Sequence, residues 1–263
     1  MTGDFIFDRA RGIEETTDGR WRAEISPTWN IFGVPNGGYL ATVGLAAASR
    51  LVPHADLLSV SAYYPSKAEP GEALIQAEAV RIGKRISTAT TRLEQQGDVR
   101  LQATAMYGDL SLATGPTNIS RTRPTFPPPE DCVRAEGPVA PEFVQQFDMR
   151  LTPESSGWAT GDPSGRAEMS GWVRFIDGRP ADPDSLPLFA DCLPPAIFNL
   201  MLPAWTPTFE LTVHVRARPV PGWLQLRFRT GYLQNGYLEE DGEIWDESGA
   251  LVALSRQLAQ ART

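Results

Sequence analysis

An α+β fold of two similar halves, each a long helix wrapped by a curved antiparallel sheet, is predicted by three features of the sequence. A helix candidate followed by four strand candidates occurs twice along the chain. The connections between those strands are too short for the helical crossovers that parallel strands require, so neighbours should pair antiparallel. One strand also alternates strictly, with Phe209, Leu211, Val213 and Val215 on one face and Thr208, Glu210, Thr212, His214 and Arg216 on the other. Only one face of such a strand joins an apolar core.

The first helix is expected over Gly38 to Val52, GYLATVGLAAASRLV, with Asn36 and Gly37 as capping residues at its mouth. Its small apolar side chains lie all round, the pattern of a buried helix. Strands follow at Leu57 to Tyr64, Ala73 to Arg81, Ser87 to Gln95 and Val99 to Tyr107, punctuated by Pro70-Gly71, Gly83 and Gly97-Asp98. Residues 114–138 are crowded with Pro, Gly and polar side chains and read as a partly extended linker. They divide an N-terminal unit, 1–113, from a C-terminal unit, 139–263. In the second unit a helix is expected over Ser185 to Leu202. Strands follow at Thr208 to Arg216, Trp223 to Thr230, Tyr237 to Trp245 and Leu251 to Gln257. A shift of 151 residues lays Pro70-Gly71 over Pro221-Gly222 and Gly97-Asp98 over Ser248-Gly249, so the order of elements and turns repeats although identity is low.

Composition narrows the functional classes. With 41% hydrophobic and 21% charged residues the chain has material for a buried core and is not of disordered type. A net charge of −8 opposes non-specific nucleic-acid binding, whose affinity comes from phosphates neutralised by Lys and Arg. No apolar run approaches the ~20 residues that cross a bilayer, and the opening MTGDFIFDRARG carries acids where a signal peptide needs a basic patch, so a cytoplasmic location without membrane attachment is expected. Cys132 and Cys192 lack metal or CxxC spacing and read as buried or idle thiols.

Several chemistries are disfavoured by what is missing. There is no G-x-S-x-G elbow, since Gly161-Asp-Pro-Ser-Gly165 places Ser164 wrongly, and there is no P-loop or G-x-G-x-x-G. His54 and His214 lack metal-ligand spacing, so no metal is expected, and they read as surface or hydrogen-bonded residues. Asp191 stands out locally. Pro194 and Pro195 remove the amides that would bond the carbonyls of Ala190 and Asp191, so a helix through this point must break or kink. A carboxylate beside such a break either faces a cavity or caps a helix starting at one of the prolines.

Four segments, Pro35-Asn-Gly-Gly-Tyr39, Ala190-Asp-Cys-Leu-Pro-Pro-Ala196, Pro207-Thr-Phe-Glu-Leu-Thr-Val213 and Leu254-Ser-Arg-Gln257, together resemble the acyl-CoA thioesterase II group of the hotdog superfamily in its double-hotdog form. Their order and spacing carry the resemblance, which covers nearly all of both halves. It implies that Asp191, Thr208 and Gln257 hold an attacking water, the carboxylate accepting a proton while the hydroxyl and amide fix orientation. The amides of Gly37, Gly38 and Tyr39, at a helix mouth with positive dipole, are the expected site for the thioester carbonyl. Arg81, Lys84 and Arg85, in Val80-Arg-Ile-Gly-Lys-Arg85, are similar to a basic strand-turn of that family and are expected to meet the phosphates of coenzyme A, the alternative being a solvated turn. The chain departs from the pattern at Leu57-Leu-Ser-Val-Ser-Ala62, where many members carry a histidine.

The resulting expectation is hydrolysis of an acyl-CoA substrate to acid and thiol, without a cofactor, by a dimer or larger homo-oligomer. The D-x-x-x-x-H motif of the related hydratases is missing, because Ser49 and Phe209 stand five residues before the two histidines. A non-catalytic acyl-binding protein is the alternative of a different class.

Overall fold

The computed structural model describes residues 4–137 and 140–262; Pro138 and Val139, where the linker was expected to give way to the second unit, lie outside the described residues. The first half contributes strands β1 (Trp21–Ile25), β2 (Asp56–Tyr63), β3 (Gly71–Ile82), β4 (Ser87–Gln95) and β5 (Asp98–Gly108) and helix α1 (Gly37–Ser49). The second contributes β6 (Phe147–Leu151), β7 (Glu168–Phe175), β8 (Thr208–Val215), β9 (Leu224–Arg229), β10 (Tyr237–Asp246) and β11 (Leu251–Gln260), with a four-residue helix α2 (Leu186–Phe189). All eight expected strands form, within a few residues of the sequence-based limits.

These strands belong to one antiparallel sheet of fourteen among the described residues, in the order β1-β3-β4-β5-β2-β8-β11-β10-β9-β7-β6, with short edge strands at Ile13–Glu15 and Val133–Arg134 and a further two-residue strand, Leu233–Gln234, paired with β10. The halves meet where β2 pairs with β8, Val60 opposite Val213 and Ser61 opposite Thr212. The Ser61 and Thr212 hydroxyls, 151 residues apart, are 2.9 Å from each other. Register breaks recur at the same spacing: between Leu57 and Ser59 on β2 and between Thr208 and Glu210 on β8, and again between Leu93 and Glu94 on β4 and between Ile244 and Trp245 on β10. Gly71 and Gly222 both adopt positive φ, 117° and 126°, which favours glycine at those turns.

Helix α1 is buried from Gly38 to Ala48, as its uninterrupted small apolar surface requires. Thr91 of β4 donates to the Gly44 carbonyl at 2.9 Å, and a Cβ on Gly44 would stand 2.6 Å from Leu101, so the missing side chain lets helix and sheet approach. The helix stops three residues before the expected Val52, consistent with Pro53 disfavouring helical geometry in the residue before it. Trp29 stacks on Tyr39, and Phe7, Phe147, Phe175 and Phe189 close the same core, which runs without interruption through both halves.

The helix expected over Ser185 to Leu202 does not form as one element. It is replaced by α2 and a separate 3₁₀ turn at Ala196–Asn199. Pro194 and Pro195 lie between them, where two consecutive residues without N–H cannot continue the ladder. The linker is a strap over the outer face of the second half. Trp172 and Gln225 donate to the carbonyls of Pro127 (2.9 Å) and Pro124 (2.6 Å), and Arg121 pairs with the buried carboxylate of Glu243 at 3.1 Å.

Candidate active site

The mouth of α1 and the broken segment after α2 press against each other. A Cβ on Gly38 would meet the Pro187 carbonyl oxygen at 2.5 Å, the Asp191 Cβ at 2.9 Å and the Leu188 Cα at 3.0 Å, so glycine is what allows this approach. Asp191 consequently places its carboxylate at the N-terminus of α1. Its Oδ2 accepts from the Gly38 amide at 2.8 Å and from the Asn36 side chain at 3.0 Å, and the same Asn36 Nδ2 donates to the Asp191 carbonyl at 2.8 Å. Asn36 is also the N-cap, its Oδ1 accepting from the Tyr39 amide at 2.8 Å. Asp191 thus caps α1, a helix from the other half of the chain, and not one beginning at Pro194 or Pro195. Of the three amides expected to receive a carbonyl, those of Gly38 and Tyr39 are engaged by protein acceptors, and that of Gly37 also acts on the Asp191 carboxylate. Tyr64, which follows β2, donates to the Gly37 carbonyl at 2.9 Å and closes this mouth from the side.

Thr208 and Gln257 are brought together directly, the Thr208 hydroxyl donating to Gln257 Oε1 at 3.2 Å. Simple alternation assigned Thr208 to the polar face with Glu210 and Thr212. The bulge corrects this: between Thr208 and Glu210, β8 carries one more residue than β11, which returns Thr208 to the inner side opposite buried Ala259. Gln257 shares that side, opposite buried Leu211.

A residue not singled out from sequence completes the group. Gln257 Nε2 donates to Glu240 Oε1 at 2.9 Å, and the Ala196 amide donates to Glu240 Oε2 at 2.6 Å. The signal was present in β10, where Leu238, Gly242 and Ile244 mark the inward phase and Glu240 is the charged residue within it.

Burial governs the electrostatics of both acids. It pushes Asp191 up to about 6, against the opposing hydrogen bonds from Gly38 and Asn36. Burial likewise pushes Glu240 up to about 7, opposed by the Ala196 amide and reinforced by the charge of Asp191. The two carboxylates therefore sit within each other's field. Burial, with Asp191 adjacent, also drives the Cys192 thiol well up, which makes it a poor nucleophile. Asp191 keeps part of its surface open. A carboxylate titrating near 6 is suited to accept a proton at neutral pH. Among the described residues no direct hydrogen bond joins Asp191 to Thr208 or Gln257; the hydrogen bonds of its carboxylate run to Asn36 and Gly38.

Arg81, Lys84 and Arg85 are exposed on β3 and the turn after it, and no hydrogen bond joins them to the Asp191 group among the described residues. His54 is tied to that turn, its Nδ1 being 2.9 Å from the Ser87 hydroxyl. His214 is exposed on the outer face of β8. Two surface cavities, one lined by Arg121, Arg123, Arg227 and Arg229 and the other by Met201 to Ala204, lie apart from Asp191 and Gln257. Among the described residues no cluster of side chains suits a metal ion, and no helix is long and apolar enough to cross a membrane.

Known proteins resemble this chain over nearly its whole length. A thioesterase-like protein of Talaromyces wortmannii is 25% identical, over 97% of this chain and 91% of that protein. A structure from Thermobifida fusca, provisionally assigned as a thioesterase II, is 31% identical and superposes with a TM-score of 0.91 over the whole of both chains. A hot dog fold protein of unknown function from Alicyclobacillus acidocaldarius, 24% identical over 99% of both chains, superposes at 0.88 and supports the fold. Residues 25–108 match the family described as acyl-CoA thioesterase N-terminal domain and residues 129–261 the one described as acyl-CoA thioesterase C-terminal domain. The chain belongs to the acyl-CoA thioesterase family and is a thioester hydrolase.

Proposed function

We propose that the chain hydrolyses acyl-CoA thioesters by direct attack of a water held between Asp191, Thr208 and Gln257. The observation that carries this reading is the placement of a half-buried carboxylate against the Gly38 amide at the mouth of α1, with the Thr208–Gln257 pair supplied by β8 and β11 of the same half as Asp191. Asp191 accepts a proton as the water oxygen bonds to the carbonyl carbon. Negative charge leaves the carboxylate and appears on the carbonyl oxygen. A neutral carboxyl holds the Gly38 N–H less strongly than a carboxylate, so that donor and the α1 dipole turn to the new oxyanion. The C–S bond then breaks, the proton on Asp191 passes to the sulfur, and acid and thiol depart. Coenzyme A enters as substrate and water is the nucleophile, so the proposed chemistry calls for no bound cofactor. Arg81, Lys84 and Arg85 provide local positive charge for its phosphates on a protein that is otherwise acidic.

The fold is read as a double hotdog, one unit before the linker and one after it. The coincident register breaks and the Ser61–Thr212 pair support that reading. The test is thiol release from acyl-CoAs of graded chain length. Wild type is expected to turn over, and Asp191→Asn to lose about 100-fold or more in kcat with little change in KM, the scale of a lost general base. Hydrolysis unchanged in the variant rejects the water site. Saturable binding without thiol release in wild type indicates an acyl-binding protein instead.

A further inference from the structure

We infer that Glu240 is a positioning residue whose charge sets which end of the Gln257 amide faces Thr208. This rests on the proposed hydrolysis for its effect on rate, and on geometry alone for its effect on the amide. Glu240 is 4% exposed, and each of its oxygens has one partner, the Ala196 amide and Gln257 Nε2. An ionised carboxylate has no proton to give, so Gln257 must turn its NH₂ toward Glu240 and its Oε1 toward Thr208. The Thr208 proton is then committed to Gln257, and Thr208 offers only lone pairs to a water. Such a water donates one hydrogen to Thr208 Oγ1 and the other to Asp191. Its own lone pair is left free for the carbonyl carbon.

Protonation of Glu240 on Oε1 reverses the bonds that run through Gln257 and Thr208, while the Ala196 amide still donates to Oε2. The Glu240 O–H donates to Gln257 Oε1, the Gln257 amide flips, and Nε2 donates to Thr208 Oγ1. The Thr208 proton is then released onto the water and occupies the lone pair that must attack. The charged form is the productive one. The acidic groups acting on Glu240 are Asp191, from the segment after α2, and Asp241 on its own strand; the Ala196 amide and Gln257 oppose them.

The first measurement does not need activity. The side-chain amide resonances of Gln257, followed by NMR across pH 5 to 9, are expected to shift in wild type and in Asp191→Asn and to be independent of pH in Glu240→Gln. An amide that does not respond to pH in wild type, or that responds equally in Glu240→Gln, overturns the inference. The second is kinetic. Glu240→Gln is expected to lower kcat about tenfold, the scale of one misdirected hydrogen bond, with KM within about twofold. In a Thr208→Val background the same substitution is expected to cost less than about twofold, because the two residues act through one chain of bonds. A wild-type kcat in Glu240→Gln, or losses that multiply in the double variant, overturns the inference while Asp191→Asn still tests the hydrolysis. If wild type releases no thiol from any acyl-CoA, the parent reading falls and the amide titration alone decides this one.

Discussion

At the scale of single residues, Asp191 is poised by burial and restrained by the donors around it. Its value near 6 lies above the usual carboxylate range, so the ionised form prevails at neutral pH and the neutral form gains as pH falls below about 6. A base must be ionised to accept a proton. The expected pH profile of kcat/KM therefore falls as pH drops through about 7 to 6, where Glu240 and then Asp191 take up protons, and a fall centred near 4, the range of an unperturbed carboxylate, would remove Asp191 from that role. The two glycines at the α1 mouth separate packing from chemistry. Gly38→Ala would drive a methyl into backbone atoms of Pro187 and Leu188, which cannot easily yield. A loss of about 1–3 kcal/mol in stability is expected by thermal unfolding, with reduced thiol release as Asp191 is displaced. Gly37→Ala meets side-chain atoms instead, Asp191 Oδ2 at 3.1 Å and Tyr64 Cζ at 3.2 Å. It should spare stability more and lower kcat by crowding the carboxylate.

At the scale of elements, the site is built where regular structure is interrupted, and this set what the sequence could disclose. The buried helix and the eight strands were legible because each has a clean period or a glycine-marked turn. The break after Asp191 was legible from Pro194 and Pro195, but not that its carboxylate would cap α1 of the other half, since that contact spans 153 residues. Thr208 was found through family resemblance and placed on the wrong face by alternation, because one extra residue at Phe209 leaves no mark in a two-residue period. Glu240 was legible as a charged residue in an apolar phase and was passed over because its partners, Gln257 on β11 and the Ala196 amide in the 3₁₀ turn, meet it only in the folded chain. Asn36 joins these elements, capping α1 while donating twice to Asp191. Asn36→Asp keeps the capping oxygen and replaces the donor with a second negative charge. The acid limb of kcat/KM is expected to move to higher pH, because like charge disfavours ionisation of Asp191. A limb that stays in place or moves down would disconnect Asn36 from the titrating group.

At the scale of the whole molecule, the proposed repeat does not carry the proposed site residues into the first half. Glu240 and Gln257 are partners across β10 and β11, and Gln257 also faces Leu211 of β8. In the first half the matching positions are Ala89 and Ala105, paired across β4 and β5, with Ala105 facing Val60 of β2; the counterpart of Thr208 is Leu57. The turn leading into β11 is one residue longer than its counterpart before β5, which is why Gln257 matches Ala105 and not Met106 under a uniform shift. Glu240, Gln257 and Thr208 thus each correspond to an apolar residue, all three of them buried. An apolar trio cannot orient a water or receive a proton, so under the proposed hydrolysis the second half is to supply the acid, hydroxyl and amide while the first supplies the helix mouth. A chain with two equal sites would bind two substrate molecules. Calorimetric titration of the protein with a non-hydrolysable acyl-CoA thioether is expected to give one ligand per chain, with that binding lost or weakened in Gly38→Ala. Two equivalent ligands per chain would mean that the first half retains a working pocket despite its apolar residues, and would overturn the assignment of the chemistry to the second half alone.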